Sequence, residues 1–166
     1  IINILPAIKG NIIFQNNELS KLKPHEISSL GIGYMPEDRR LIPDLSVKDN
    51  ILIPLWANKK NNIEEELEKI LTFIPEVKDL LLREAFQLSG GQQKLVALAR
   101  AMIVGKNLLL LDEPFEGVAP ALADRLVELI ESLSRLNITT LITESDETYS
   151  KRINAKIIKL ERGKIL

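Results

Sequence analysis

The 166-residue chain carries a net charge of −1, with 45% apolar and 27% charged residues, the ordinary balance of a protein with one sizeable core. So small a charge argues against a surface built for nucleic acid or an anionic membrane, and no apolar run approaches the roughly 20 residues of a membrane-spanning helix. There is no cysteine, which excludes disulfides and thiolate metal sites and fits a reducing compartment.

In chain order, Gly10 precedes an expected strand over Asn11–Gln15, closed by the turn signal Asn16-Asn17. Lys23–Leu30 is expected to form a short helix with Pro24 in its first turn. A strand over Ile32–Met35 should stop at Pro36 and give way to a charged loop, Glu37–Asp44. Ser46 is placed as an N-cap, with Asp49 three residues on and an apolar face of Ile51, Leu52 and Leu55. After a polar break at Asn58–Asn62, the spacing of Ile63, Leu67, Ile70, Leu71 and Ile74 predicts a helix over Ile63–Pro75. A further helical segment is expected over Val77–Arg83. Trp56 and Phe73 are expected to fill this helical lobe.

Next comes "QLSGGQQKLVALARAMIVGKNLLLLDEP", Gln87 to Pro114. Ser89 and Gln92 fit an S-x-x-Q capping box, Leu95, Val96, Leu98, Ala99, Met102 and Ile103 make an apolar stripe, and Gly105 supplies a stop. Arg100 is expected in a structural ion pair. Beyond it the pattern runs strand (Asn107–Leu111), helix (Ala121–Leu136), strand (Ile138–Thr143), strand (Lys156–Leu160), then a turn at Arg162-Gly163 before Lys164–Leu166. Alternation of this kind predicts an α/β fold with a mostly parallel sheet, interrupted by an inserted helical subdomain between Asn50 and Arg83.

Two features carry chemistry. Gly90 and Gly91 weaken a helix where its first turn should form. They suit either a plain turn or a helix N-terminus that must lie close to a phosphate. Asp112 and Glu113 follow an all-apolar strand of the kind buried on both faces, at the carboxyl end where open α/β sheets bind ligands. They suit either a capping acid pair or a carboxylate for Mg²⁺ beside one that orients an attacking water.

The combination "LSGGQ", a helix of about 13 residues and an apolar strand ending in "DEP" resembles the signature motif and Walker B of ATP-binding cassette (ABC) proteins. "GIGYMPEDRRLIPDLSVKDNI", Gly31 to Ile51, is similar to the segment around the Q-loop. "EPFEGVAPAL", Glu113 to Leu122, resembles the D-loop region of branched-chain amino acid type cassettes. The resemblance covers essentially the whole chain. It implies part of a P-loop NTPase domain: 1–45 the end of the Walker A helix, strands and Q-loop; 46–88 a helical subdomain; 89–166 the signature helix, Walker B, D-loop and last strands.

It further implies an importer ATPase with ATP and Mg²⁺ as cofactors. Asp112 and Glu37 would hold the metal and Glu113 would polarise the hydrolytic water. Ser89, Gly90, Gly91, Gln92, Glu37 and the D-loop residue Ala119 would contact nucleotide, the signature residues touching the nucleotide of a partner subunit. Implied partners are a second ATPase subunit and separate transmembrane permease subunits, with no nucleic acid, at the cytoplasmic face of a membrane.

Three departures qualify this. No G-x-x-x-x-G-K-[ST] occurs. The chain starts at Ile1 rather than Met, so the Walker A loop is expected just upstream, and the 166 residues alone are expected to bind ATP poorly. Glu37 stands where the family commonly has glutamine. Ser145 replaces the switch histidine in "LITESD", and loss of a donor aimed at the transferring group can slow hydrolysis. His25 is expected to be a solvated bystander.

Two other classes stay open. A soluble cassette acting on nucleic acid or ribosomes is disfavoured by the charge and by the short stretch between Glu37 and Ser89, which leaves no room for a coiled-coil arm. A non-hydrolysing cassette is favoured by Ser145 and opposed by Glu113.

Overall fold

The computed structural model describes residues 1–5, 7–59 and 61–166. Its centre is a parallel three-stranded sheet in the order β3 (Ile32–Met35), β4 (Leu108–Asp112), β5 (Thr139–Thr143). Tyr34 lies beside Leu110, and Leu110 beside Leu141. Four successive leucines make β4 the middle strand because it is covered on both faces. Leu109 and Leu111 join the large core, while Leu108 and Leu110 join a smaller one with Leu19, Ile27 and Ile32.

The small core is closed by the short hairpin β1 (Ile13–Phe14) and β2 (Asn17–Glu18) and by α1 (Pro24–Ser29). Pro24 opens α1, as its fixed φ favours, and His25 is exposed. On the other face, α4 (Gly90–Val104) lies against the sheet and takes the lobe helix α2 (Val47–Ala57) on its far side. The sequence suggests one apolar stripe on α4. The structure buries Lys94–Ala99 without interruption, because sheet and lobe enclose the helix from opposite sides. The lobe and the sheet thus share a single core.

Ser46 caps α2, its hydroxyl accepting from the Asp49 amide at 3.0 Å. Asn50, fully buried, fixes the preceding loop: its Oδ1 accepts from Ile42 N at 2.7 Å and its amide donates to Ile42 O at 3.0 Å. In α3 (Ile63–Phe73), Leu67, Ile70 and Leu71 face the core. This helix stops before Pro75 because a proline disfavours helical geometry in the residue ahead of it, and Ile74 has φ −123°. The expected helix over Val77–Arg83 is instead a 3₁₀ segment, Pro75–Leu80. Phe73 packs against the core. Trp56 does not fill the lobe: it is 46% exposed, since Val47, Asn50, Ile51, Leu52 and Leu55 define the inner face of α2.

Helix α5 (Pro120–Arg135) inserts Leu126, Val127, Ile130 and Leu133 into the core and leads to β5. Thr139, Leu141 and Thr143 on β5 lie exposed, Leu141 at 46%. After α6 (Glu147–Ser150) the expected strand Lys156–Leu160 shrinks to a two-residue pairing, β6 (Leu160–Glu161) with β7 (Lys164–Ile165). With no sheet to bury their alternate side chains, these residues are exposed.

Candidate functional site

The carboxyl ends of β4 and β5 bring the acids together. Asp112 is the last residue of β4 and continues the parity of Leu108 and Leu110. Its Oδ2 accepts from Tyr34 Oη on β3 at 3.2 Å, and its Oδ1 from Thr143 Oγ1 on β5 at 2.5 Å. Burial, and then the Asp112 charge and hydrogen bond, which disfavour a tyrosinate, lift the Tyr34 phenol above its usual range.

Glu113 leaves the strand with φ +45°, a left-handed conformation uncommon for a side chain of this size. Its amide still donates to Thr143 O at 3.0 Å, so the sheet ladder runs one residue past the strand. The turn separates the acids: Asp112 is held by Tyr34 and Thr143, whereas Glu113 Oε2 accepts from Ser145 N at 3.2 Å and Ser145 Oγ at 3.3 Å. The Ser145 hydroxyl, read as a replacement for a phosphate-directed donor, here supports the neighbouring carboxylate.

Two residues that the sequence reading passed over complete this turn. Glu144 Oε1 accepts from Phe115 N at 3.1 Å. Burial, with the adjoining Glu113 carboxylate, pushes the Glu144 carboxyl up to about 7. On the other flank, Lys94 of α4 donates from Nζ to Glu113 O at 2.6 Å and Pro114 O at 3.1 Å. The hints in the sequence were a cation just ahead of the apolar run Leu95–Ala99 and an acid ahead of Ser145.

Glu37 is exposed, and its carboxyl is raised above the ordinary range chiefly by the charge of Glu116, with Asp112 and Glu113 adding to it. Glu37, Asp112, Glu113 and Glu116 therefore share one electronegative end of the sheet. Among the described residues no three metal-ligating side chains converge into a closed cage. Mg²⁺ does not require one, because it keeps waters and is commonly held by one or two carboxylates plus substrate phosphates. The hard oxygens of Asp112 and Glu37, which crowd negative charge in the absence of a cation, fit that pattern.

The glycine turn lies beside Arg39 of the charged loop. Ser89 caps α4, with its Oγ accepting from Gln92 N at 3.3 Å and Gln92 Oε1 accepting from Ser89 N at 3.0 Å. Gln92 is thus engaged in the capping box. Gly90 is exposed, and a Cβ there would meet only Arg39 Nη1 at 3.4 Å. Gly91 differs, because a Cβ there would press on Leu122 Cδ2 of α5 at 2.7 Å, a contact that a shift of this side-chain tip would relieve. Ala119 is exposed at the start of α5.

Arg39 and Arg40 tie the charged loop to α4. Arg39 Nη1 donates to Gln93 Oε1 at 2.9 Å. Among the described residues Arg100 forms no ion pair: its guanidinium donates to the carbonyls of Arg39 and Arg40. Both loop residues have positive φ, 63° and 46°, which turns those carbonyls toward the helix. These bonds anchor to α4 a loop most of whose residues are exposed.

A family model described as ABC transporter matches residues 1–116. The high-affinity branched-chain amino acid transport ATP-binding protein BraG of Pseudomonas aeruginosa is 31% identical over 160 residues, covering 96% of this chain and 69% of BraG. The lipopolysaccharide export system ATP-binding protein LptB of Escherichia coli K12 is 32% identical over 168 residues, 100% of this chain and 70% of LptB. The ADP conformation of MJ1267, an ATP-binding cassette of an ABC transporter, superposes with a TM-score of 0.74 at 29% identity, over 90% of this chain and 64% of that one. The chain thus spans about two thirds of the length of the proteins it resembles.

Proposed function

The chain belongs to the ABC transporter family, and on that premise we propose that it is the greater part of an ATP-hydrolysing subunit that energises transport. The observation that carries the reading is the divergence of two consecutive acids at the end of the buried central strand. Asp112 is held toward β3 by Tyr34 and toward β5 by Thr143, and Glu113 is turned away from it onto Ser145. In this reading Asp112, with Glu37, holds Mg²⁺, and Glu113 Oε2 accepts a hydrogen bond from the attacking water and orients it. Bound MgATP supplies the transferable phosphoryl group and the charge that offsets the crowded carboxylates.

The capped turn Ser89–Gly91 then serves the nucleotide of a second subunit, with the exposed Ala119 at the same interface. The helical lobe and the charged loop bound to α4 pass the motion of closure to transmembrane partners at the cytoplasmic face. The Ser145 hydroxyl supports Glu113 in place of a histidine aimed at phosphate.

Branched-chain amino acid import is the transport reading supported by BraG, and by the Gly117–Pro120 stretch of the D-loop region. The similar identity to LptB supports export of a lipid instead, and stimulation of turnover in reconstituted membranes by branched-chain amino acids or by lipopolysaccharide separates the two. The core reading is tested by phosphate release from the full-length protein. Glu113→Gln should lower turnover by about 10²-fold or more with ATP binding retained. Unchanged turnover would remove Glu113 from the chemistry.

A further inference from the structure

Lys94 is 3% exposed, yet no carboxylate lies within ion-pairing distance of its ammonium among the described residues. Its partners are two successive main-chain carbonyls, those of Glu113 and Pro114. Burying an ammonium is unfavourable unless its protons are well placed, and at a position as buried as its neighbours Leu95, Val96 and Leu98 on α4 an apolar side chain would avoid that penalty. Packing therefore does not explain a lysine here; the carbonyls do.

We propose that Lys94 is a positioning residue that ties the signature end of α4 to the hydrolytic carboxylate of the same chain. The inference rests on the assignment of Glu113 made above. The geometry of the acid turn carries it. Glu113 stands at φ +45°, and such a backbone persists only where its surroundings over-determine it. From β5 the turn is held by Thr143 O on the Glu113 amide and by Glu144 on the Phe115 amide. From α4 it is held by Lys94.

Lys94 follows Ser89 by little more than one helical turn, a rise of about 7.5 Å. Any displacement of the α4 N-terminus, where a partner's nucleotide would rest, is therefore delivered through a short rigid segment to the Glu113 carbonyl. One helix then serves two different nucleotide sites. Lys94 makes the orientation of one site's carboxylate depend on occupancy at the other. It touches neither nucleotide nor water and acts only through Glu113.

Steady-state hydrolysis by the full-length protein tests this with three variants. Lys94→Met keeps the length of the side chain and removes its donors. It should lower kcat by about 10- to 100-fold, leaving KM for ATP and the melting temperature near wild type. Lys94→Arg, which keeps donors within reach, should recover most of kcat. In a Glu113→Gln background, Lys94→Met should lower the residual single-turnover rate no further. Should Lys94→Met fail to fold, Lys94→Gln, too short to reach both carbonyls, replaces it in each comparison. Wild-type kcat in Lys94→Met, an equal loss in Lys94→Arg, or a loss that adds to that of Glu113→Gln would each overturn the proposal. An inactive wild-type protein would instead overturn the hydrolytic reading, and the role of Lys94 with it.

Discussion

Glu144 shows how one titratable side chain sets a local dependence on pH. Its carboxyl stands at about 7, raised first by burial and then by the Glu113 carboxylate. A folded-state value above the unfolded one means that the native state binds this proton more tightly. The stabilising contribution is therefore complete below pH 4.5 and is lost as pH rises toward 7. Above that, two carboxylates face each other. Glu144→Gln keeps the acceptor for Phe115 N–H and removes the charge. It should leave the melting temperature at pH 5 near wild type and raise stability at pH 8 by about 1 kcal/mol, a figure reduced for partial solvent screening. Thermal melts of both proteins at the two pH values check this, and equal differences at pH 5 and pH 8 would refute it. Asp112 and Glu113 were legible in the sequence through their spacing from the "LSGGQ" stretch and its helix, since alone they suit a capping pair as well. Glu144, Tyr34 and Thr143 were not, since each matters only through register: parallel pairing brings Thr143 level with Asp112, and that lies outside any local pattern.

Helix α4 was legible as an element, and its Ser89–Gln92 capping box forms as read. The reason for its C-terminal glycine was not. Gly105 has φ −76°, so it is no left-handed terminator. A Cβ there would fall 2.9 Å from Ala101 O and 3.1 Å from the Gly33 Cα, which shows helix and strand in direct backbone contact. A sequence window holds helix propensity; it does not hold the distance between a helix and a strand some seventy residues away. Gly33 is the stricter of the pair, because an added Cβ would collide with Ala101 O and lie 2.8 Å from Leu109 Cδ2. Main chain cannot move aside as a side-chain tip can. Gly33→Ala should destabilise the protein by about 3 kcal/mol, whereas Gly91→Ala, which meets only the flexible end of Leu122, should cost less than about 1 kcal/mol. Denaturant midpoints rank the two, and a reversed order would mean that α4 is not clamped at Gly33.

For the whole molecule, the question is whether the exposed glycine turn is a surface for assembly or only the start of a helix. Gly90 separates these, because nothing in the chain's own packing requires it: the nearest neighbour of an added Cβ is a flexible guanidinium at 3.4 Å. An aspartate at a first helical position is favourable by about 0.3–1 kcal/mol through the helix dipole. The fold should therefore accept Gly90→Asp, with a melting temperature equal to or slightly above wild type. The same carboxylate would meet a triphosphate as a like charge at the place where free amides should receive it. In full-length protein carrying Glu113→Gln to trap ATP, light scattering should record nucleotide-dependent dimers, and adding Gly90→Asp should abolish them. Unfolding of the variant would show that the turn serves the fold, and dimers that persist would show that the triphosphate rests elsewhere. An intact monomer that no longer assembles is the outcome expected of a helix terminus that completes another subunit's site.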